Sequence, residues 1–163
     1  HVEHADAFQS AYAIALEKVA EDRGGFEACP GIVSLLECLT DLPEIQIGLL
    51  TGNWEKTGRF KIQAAGIDGT IFRCNAFAEH GEHRDELVPV ARHQFKSMHG
   101  AVPDRIIVIG DTPRDVQCAK AGQAEAVAVA TGVFDAEALR ATGADLVVEN
   151  LSPTEGLLEF LRR

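Results

Sequence analysis

Short apolar runs of strand length alternate with longer amphipathic segments along most of this chain. The runs lie at 45–50, 106–109, 126–130 and 145–148. Between them, apolar residues recur every three or four positions, which is typical of helices that bury one face. Strands that alternate with helices predict a parallel sheet covered by helices on both faces. We therefore expect an α/β chain with a Rossmann-like core.

Helices are predicted wherever the apolar spacing is helical and a suitable residue begins or ends the segment. Their expected ranges are 4–22, 30–39, 54–65, 85–99, 113–121, 135–141 and 152 onward. Gly66 is placed to end the third helix in a left-handed conformation. Ser152-Pro153-Thr154-Glu155 predicts a capping box with proline at the first helical position of the last helix. Residues 70–77 could hold a further strand.

Composition and charge narrow the classes of function. The 163 residues suffice for one core, and the formal net charge of -10 disfavours binding to nucleic acid or to an anionic membrane. No apolar run is long enough to span a bilayer. The four cysteines form no C-x-x-C pair, and no leader-like segment follows His1. These features favour a cytoplasmic protein with reduced thiols, and they leave the oligomeric state open.

The candidate chemistry follows the apolar runs, because open parallel sheets bind ligands beyond the carboxyl ends of their strands. Thr51-Gly52-Asn53 comes directly after the run at 45–50. A hydroxyl and backbone N–H groups near a helix start can hold a phosphate oxygen. The alternative is an ordinary turn in which Thr51 or Asn53 caps the next helix.

Two aspartates and one arginine complete the candidate site. Asp111 follows the run at 106–109, where a carboxylate suits Mg²⁺. Asp115 lies one helical turn further on and either assists a metal site or forms a capping box with Thr112. Arg84 lies in a polar loop between these two segments and is a candidate cation.

Three segments together resemble the haloacid-dehalogenase-like hydrolases, and most closely their phosphoglycolate-phosphatase-like branch. They are LLTGN at 49–53, EHRDEL at 82–87 and VIGDTPRD at 108–115. The resemblance implies that Thr51 hydrogen-bonds the transferred phosphoryl group and that Arg84 neutralises phosphate and nucleophile. It implies Asp111 as a Mg²⁺ ligand, with Asp115 completing the acidic motif.

The same resemblance implies a domain organisation. Residues 1–26 would be the end of a helical cap, and residues 27–163 the core without its first strand. That strand carries the nucleophilic aspartate in the family, so the nucleophile is expected upstream of His1. Its expected place is between the runs at 45–50 and 106–109, which would leave two unpaired strand edges. Asp68 resembles the end of the nucleophile motif, but Gly66 occupies the nucleophile position, so no catalytic role is expected for it.

We therefore expect a Mg²⁺-dependent hydrolase of small phosphorylated metabolites that forms an aspartyl-phosphate intermediate. A metal-free dehalogenase of 2-haloacids and a catalytically incomplete α/β binding module are the alternatives. His80 and His83 flank Gly81-Glu82 at a spacing that could hold a transition metal, but solvated loop histidines are the favoured interpretation.

Overall fold

The computed structural model describes residues 2–163, with side chains described from residue 7 onward. After residue 106, strands and helices alternate in the order that the apolar runs predict, whereas the described regular elements before residue 106 are all helices. The elements are α1 Val2–Arg23, α2 Ile32–Thr40, α3 Glu55–Ala64, α4 Leu87–His99, β1 Ile107–Gly110, α5 Pro113–Ala121, β2 Glu125–Val129, α6 Ala136–Arg140, β3 Leu146–Val148 and α7 Glu155–Arg162. Short 3₁₀ turns lie at Gly69–Ile71, Ala78–His80 and Arg84–Glu86.

The three strands form a parallel sheet in the order β1-β2-β3. Val108 pairs with Ala126, and Ala128 pairs with Val147. Four of the five residues of the central strand β2 are buried, as expected for a strand with neighbours on both sides and helices on both faces. The predicted α/β parallel-sheet architecture is confirmed.

Alternate residues of β2 belong to two separate hydrophobic clusters, one on each face of the sheet. Ala126 and Ala128 pack with residues of α4, α5 and α6, among them Val88, Val116, Cys118 and Leu139. Val127 and Val129 pack with residues of α2 and α7, among them Leu35, Leu39, Leu157 and Phe160. Because successive side chains of a strand point to opposite faces of the sheet, each face packs against a different group of helices.

Residues 45–50 do not form the regular strand that their apolar pattern predicts. The carbonyls of Ile47 and Leu49 accept from the N–H groups of Arg73 and Ala76, at 2.9 and 2.7 Å. Leu49 N, however, donates to the side-chain Oδ1 of buried Asn75 at 2.9 Å. Because a side chain replaces a backbone acceptor, the pairing is limited to one parallel bridge between Leu50 and Ala76. The further strand considered over 70–77 is likewise absent apart from this bridge.

The edge of β1 opposite β2 has no ladder partner among the described residues. The apolar side chains of Ile47, Leu49, Ile107 and Ile109 are only half-buried, unlike those of β2. These residues are apolar enough for a core but are incompletely covered by the described part of the chain.

Several helix boundaries differ from the prediction, and each difference has a local cause. Gly31, at φ +83°, precedes α2, so Pro30 lies outside the helix rather than in its first turn. Thr154 rather than Ser152 caps α7, because its Oγ1 accepts from Leu157 N at 3.4 Å. Residues 84–86 form a 3₁₀ turn before α4. Gly66, at φ +73°, follows α3 as predicted.

Among the described residues, no helix combines the length and the apolar character that crossing a bilayer requires.

The Asp145 carboxylate links α5 to the sheet. Its Oδ2 accepts from Lys120 Nζ and from Ala126 N, both at 2.7 Å. The Lys120 hydrogen bond, with help from the Ala126 N–H, lowers the pKa of Asp145 below its usual value. A carboxylate with a lowered pKa stabilises the fold above its ordinary pKa, and this contribution is lost as the pH falls through the folded value.

We expect Asp145→Asn to lower the free energy of unfolding by about 0.5–1 kcal/mol at pH 7, because the ion pair is partly exposed. The difference from the unmodified chain should disappear at a pH acidic enough to protonate the Asp145 carboxyl group in the folded state. Urea denaturation at both pH values measures this. A difference of the same size at both pH values would contradict the role of the charged carboxylate, and Lys120→Met serves as the matched variant on the partner.

Candidate active site

The Thr51-Gly52-Asn53 turn connects the extended segment at 45–50 to the start of α3. It is held at both ends by the segment around residue 77. Thr51 N donates to Ala76 O, and Asn53 O accepts from Ala78 N, both at 3.0 Å. The backbone of the turn is therefore fixed independently of its side chains.

The Thr51 hydroxyl oxygen accepts two hydrogen bonds from Asn53. The backbone N–H lies at 3.1 Å and the side-chain Nδ2 at 2.7 Å. A hydroxyl has one proton to donate and two lone pairs to accept with, so both lone pairs are occupied here. In the part of the chain that the structure describes, the hydroxyl proton has no acceptor. Thr51 can therefore act only as a donor toward a further group.

Arg84 lies between this turn and α5. Its Nη2 donates to Asp115 Oδ1 in a short ion pair, and the side chain of Asp115 is only 9% exposed. A Cβ placed on Gly52 would lie 3.7 Å from Arg84 Nη1, so the guanidinium lies against the turn. The Nε atom of Arg84 is buried and has no partner among the described residues. The predicted cation thus touches both the turn and the acidic motif.

Asp115 uses both carboxylate oxygens within the protein. While Oδ1 accepts from Arg84, Oδ2 accepts from Thr112 N at 3.0 Å and from Thr112 Oγ1 at 2.7 Å. This is the capping arrangement at the start of α5 that the sequence offered as one of two roles. In this geometry Asp115 pairs with Arg84 and caps its helix.

Asp111 is placed differently from Asp115. It follows β1 directly and is exposed, and its carboxylate lies against Gly132, just beyond the end of β2. A Cβ on Gly132 would displace this carboxylate from its position. Asp111 has no hydrogen-bond partner among the described residues. An exposed, unpaired carboxylate at a strand end fits Mg²⁺, which takes one or two carboxylates and completes its shell with water and substrate oxygens.

The predicted site residues therefore lie along one series of contacts at the carboxyl edge of the sheet. The turn touches Arg84, Arg84 pairs with Asp115, and Asp115 packs on Gly110, which immediately precedes Asp111. The catalytic and binding roles assigned to these side chains remain predictions. No three His, Cys, Asp or Glu side chains of the described range group as metal ligands.

Other residues considered in the sequence have local tasks. Asp68 accepts from Thr70 N at 2.9 Å and from Thr70 Oγ1 at 2.7 Å, and the hydrogen bond from the Thr70 backbone lowers the pKa of Asp68 most. This carboxylate caps a 3₁₀ turn. His80 and His83 are exposed, and His80 Nδ1 accepts from Phe77 N at 3.1 Å.

The structure adds Lys61 to the surroundings of the turn. Its Nζ donates to Asn53 Oδ1 at 2.8 Å and to the Tyr12 hydroxyl at 3.2 Å. Lys61 follows Asn53 by eight residues, a spacing that allows its side chain to lie on the side of α3 that faces Asn53. Lysines on helices, however, are usually solvated. Tyr12 and Lys61 are 49 residues apart in the chain, and no pattern in the sequence predicts their contact.

Comparison with known proteins bears on the fold. A family model described as HAD-hydrolase-like matches residues 80–154, the part of the chain that contains Arg84, Asp111 and Asp115. A hydrolase from Pseudomonas syringae superposes on the entire chain with a TM-score of 0.76 at 23% identity. The chain has the haloacid-dehalogenase-like hydrolase fold. None of the curated proteins matches it in sequence.

Two further solved structures share this haloacid-dehalogenase-like fold. A β-phosphoglucomutase from Clostridium difficile matches 99% of the chain with a TM-score of 0.69 and 20% identity. A predicted phosphatase from Clostridium acetobutylicum matches 82% of the chain with a TM-score of 0.64 and 20% identity. The chain spans 75%, 69% and 60% of the lengths of the hydrolase, the mutase and the predicted phosphatase, respectively.

The close approach of Gly110 to Asp115 generates a prediction. A Cβ at Gly110 would occupy the space of the Asp115 carboxyl group. Gly110 belongs to β1 and Asp115 to α5, and these two elements cannot easily separate. We expect Gly110→Ala to lower the free energy of unfolding by about 2 kcal/mol and to displace Arg84.

Urea denaturation measures the loss of stability, with Gly156→Ala as the matched control. A Cβ at Gly156 would meet open space in the first turn of α7, so that variant should be unchanged or slightly stabilised. Equal unfolding midpoints for the two variants would show that the Gly110 contact is unimportant.

Proposed function

We propose that this chain supplies the phosphate-binding and metal-binding part of a Mg²⁺-dependent phosphomonoester hydrolase that acts on small phosphorylated metabolites. The observation that carries the proposal is the series of contacts that joins the Thr51 turn, Arg84 and the acidic motif at one edge of the sheet. A hydroxyl donor, a guanidinium and a free carboxylate have complementary tasks around a phosphoryl group.

Each side chain has a defined task in this proposal. Thr51 donates its hydroxyl proton to a phosphoryl oxygen, because its lone pairs are already occupied by Asn53. Gly52 leaves the backbone of the turn open to the ligand, and Arg84 offsets negative charge beside it. Asp111 would hold Mg²⁺, and the ion when bound would neutralise charge that develops on the phosphoryl oxygens. Asp115 keeps Arg84 in place.

The resemblance to the family supplies the remaining part of the proposal. The attacking group would be an aspartate that precedes His1, and its phosphorylation would give an aspartyl-phosphate that water then hydrolyses. The half-buried side chains of Ile47, Leu49, Ile107 and Ile109 support the idea that a further strand completes this region. Because the chain is acidic overall, with a net charge of -10, local cations have to offset its repulsion of a phosphorylated substrate.

Phosphoryl transfer to a sugar hydroxyl is the second candidate. It is favoured by the likeness of the fold to a β-phosphoglucomutase over 99% of the chain. The two reactions share the phosphate and metal groups and differ in the acceptor, water or a hydroxyl. A cap over the site would select between these acceptors by admitting or excluding water.

Replacing Asp111 with Asn should weaken the binding of Mg²⁺ by about tenfold, because the amide removes the carboxylate that follows β1 directly. Isothermal titration calorimetry in the presence of inorganic phosphate measures the affinity. Asp104→Asn is the matched control, since Asp104 is an exposed aspartate before the opposite end of β1. Equal Mg²⁺ affinities in the two variants would refute the metal assignment. Phosphate binding that is indifferent to a chelator would instead favour metal-free chemistry.

A further inference from the structure

We infer that Lys61 is a positioning residue for the phosphate-binding turn and acts on Thr51 through the side chain of Asn53. The inference rests on the proposed function, since it deepens the task given there to Thr51. Its basis is a continuous hydrogen-bond series that runs from α1 through Lys61 and Asn53 to the Thr51 hydroxyl.

Lys61 determines which way the Asn53 amide points. An ammonium group has only protons to donate, so the amide atom that faces Lys61 Nζ at 2.8 Å has to be the oxygen. The amide nitrogen consequently faces Thr51 Oγ1 at 2.7 Å. The orientation of Asn53 is thus fixed by the chemistry of its neighbour.

This orientation determines what Thr51 can do. With Asn53 Nδ2 and the backbone N–H of Asn53 both donating to Oγ1, the Thr51 hydroxyl can only donate to a third group. A phosphoryl group presents only acceptors when it is fully ionised, so it matches this requirement. If the amide rotated, its oxygen would face Thr51 and would take the hydroxyl proton that the phosphoryl group needs.

Lys61 has a second property that a solvated helix lysine lacks. It is half-buried, and no carboxylate pairs with it among the ion pairs of the described residues. Its ammonium instead lies 5.8 Å from the centroid of the Tyr12 ring and donates to the Tyr12 hydroxyl. The positive charge near the turn is therefore not cancelled by a neighbouring acid.

The same contacts connect the first helix to the turn. Tyr12 and Phe8 of α1 both meet the ring of Trp54 edge-on, with centroids 6.0 Å apart. Trp54 is the residue immediately before α3 and follows Asn53 in the chain. Any movement of α1 relative to α3 would therefore reach both Lys61 and Trp54.

To test this inference, the full chain is titrated with inorganic phosphate in the presence of Mg²⁺. NMR follows the backbone amide signals of residues 51–53 and the side-chain NH₂ signals of Asn53. We expect Lys61→Met to weaken phosphate binding about fivefold, the loss typical of one hydrogen bond to a charged group. It should also shift the Asn53 NH₂ signals before any phosphate is added. Lys61→Arg, which retains a donor and the charge, should restore affinity to within about twofold.

The matched control is Lys56→Met, which removes the same charge from an exposed position nearer to the start of α3 and should leave the affinity within about twofold of the original. Asn53→Leu should weaken binding as much as Lys61→Met does. The double variant should bind no more weakly than either single one, because both changes interrupt the same series. A purely structural loss would instead be additive, and Lys61→Arg would not reverse it.

Two outcomes separate the inference from the function on which it rests. If Thr51→Val weakens phosphate binding while Lys61→Met changes neither the affinity nor the Asn53 NH₂ signals, Lys61 has no positioning role and the function stands. If phosphate perturbs no signal at 51–53 in the unmodified chain, the proposed function is refuted and the inference with it. Shifted Asn53 signals in Lys61→Met would then show only that the hydrogen bonds exist.

Discussion

The arrangement of the site depends on the buried carboxylate of Asp115. It caps α5, accepts from Arg84 and packs on the backbone of Gly110, so it connects the acidic end of β1 to the loop before α4. A buried carboxylate is stable only when its oxygens are satisfied, and here the guanidinium, a hydroxyl and a backbone N–H satisfy them. Without this group the guanidinium would have no ion-pair partner among the described residues to hold it between the turn and the end of β1.

The two aspartates of VIGDTPRD divide their tasks according to burial. Asp115 is enclosed and hydrogen-bonded through both oxygens, whereas Asp111 is exposed and has no hydrogen-bond partner among the described residues. The two cationic side chains near the turn also differ in how they are paired. Arg84 is paired with Asp115, while Lys61 has neutral partners and keeps its charge uncompensated. In a chain of net charge -10, such placed cations provide the local field that an anionic ligand requires.

The sheet is less complete than the apolar pattern suggests. The segment at 45–50 has the composition of a core strand, yet it makes only one bridge, and β1 pairs on one edge only within the described residues. Side chains such as Ile47 and Ile109 stay half-buried as a result. The position of the Thr51 turn therefore relies on the hydrogen bonds to residues 73–78 rather than on a regular ladder.

The sequence alone determined the elements whose signals are local. The α5 helix was predicted at 113–121 with its cap, because proline and a capping pair act within one turn, and the alternation of runs and helices was enough to predict a parallel sheet. The motif order also indicated which side chains to examine. Only the tertiary structure decided that Asp115 holds Arg84, that the backbone of residues 45–50 pairs with the Asn75 side chain, and that Lys61 meets both Asn53 and Tyr12. These contacts join residues 8 to 49 positions apart, and such distances are set by how helices pack on the sheet, which local propensity does not encode.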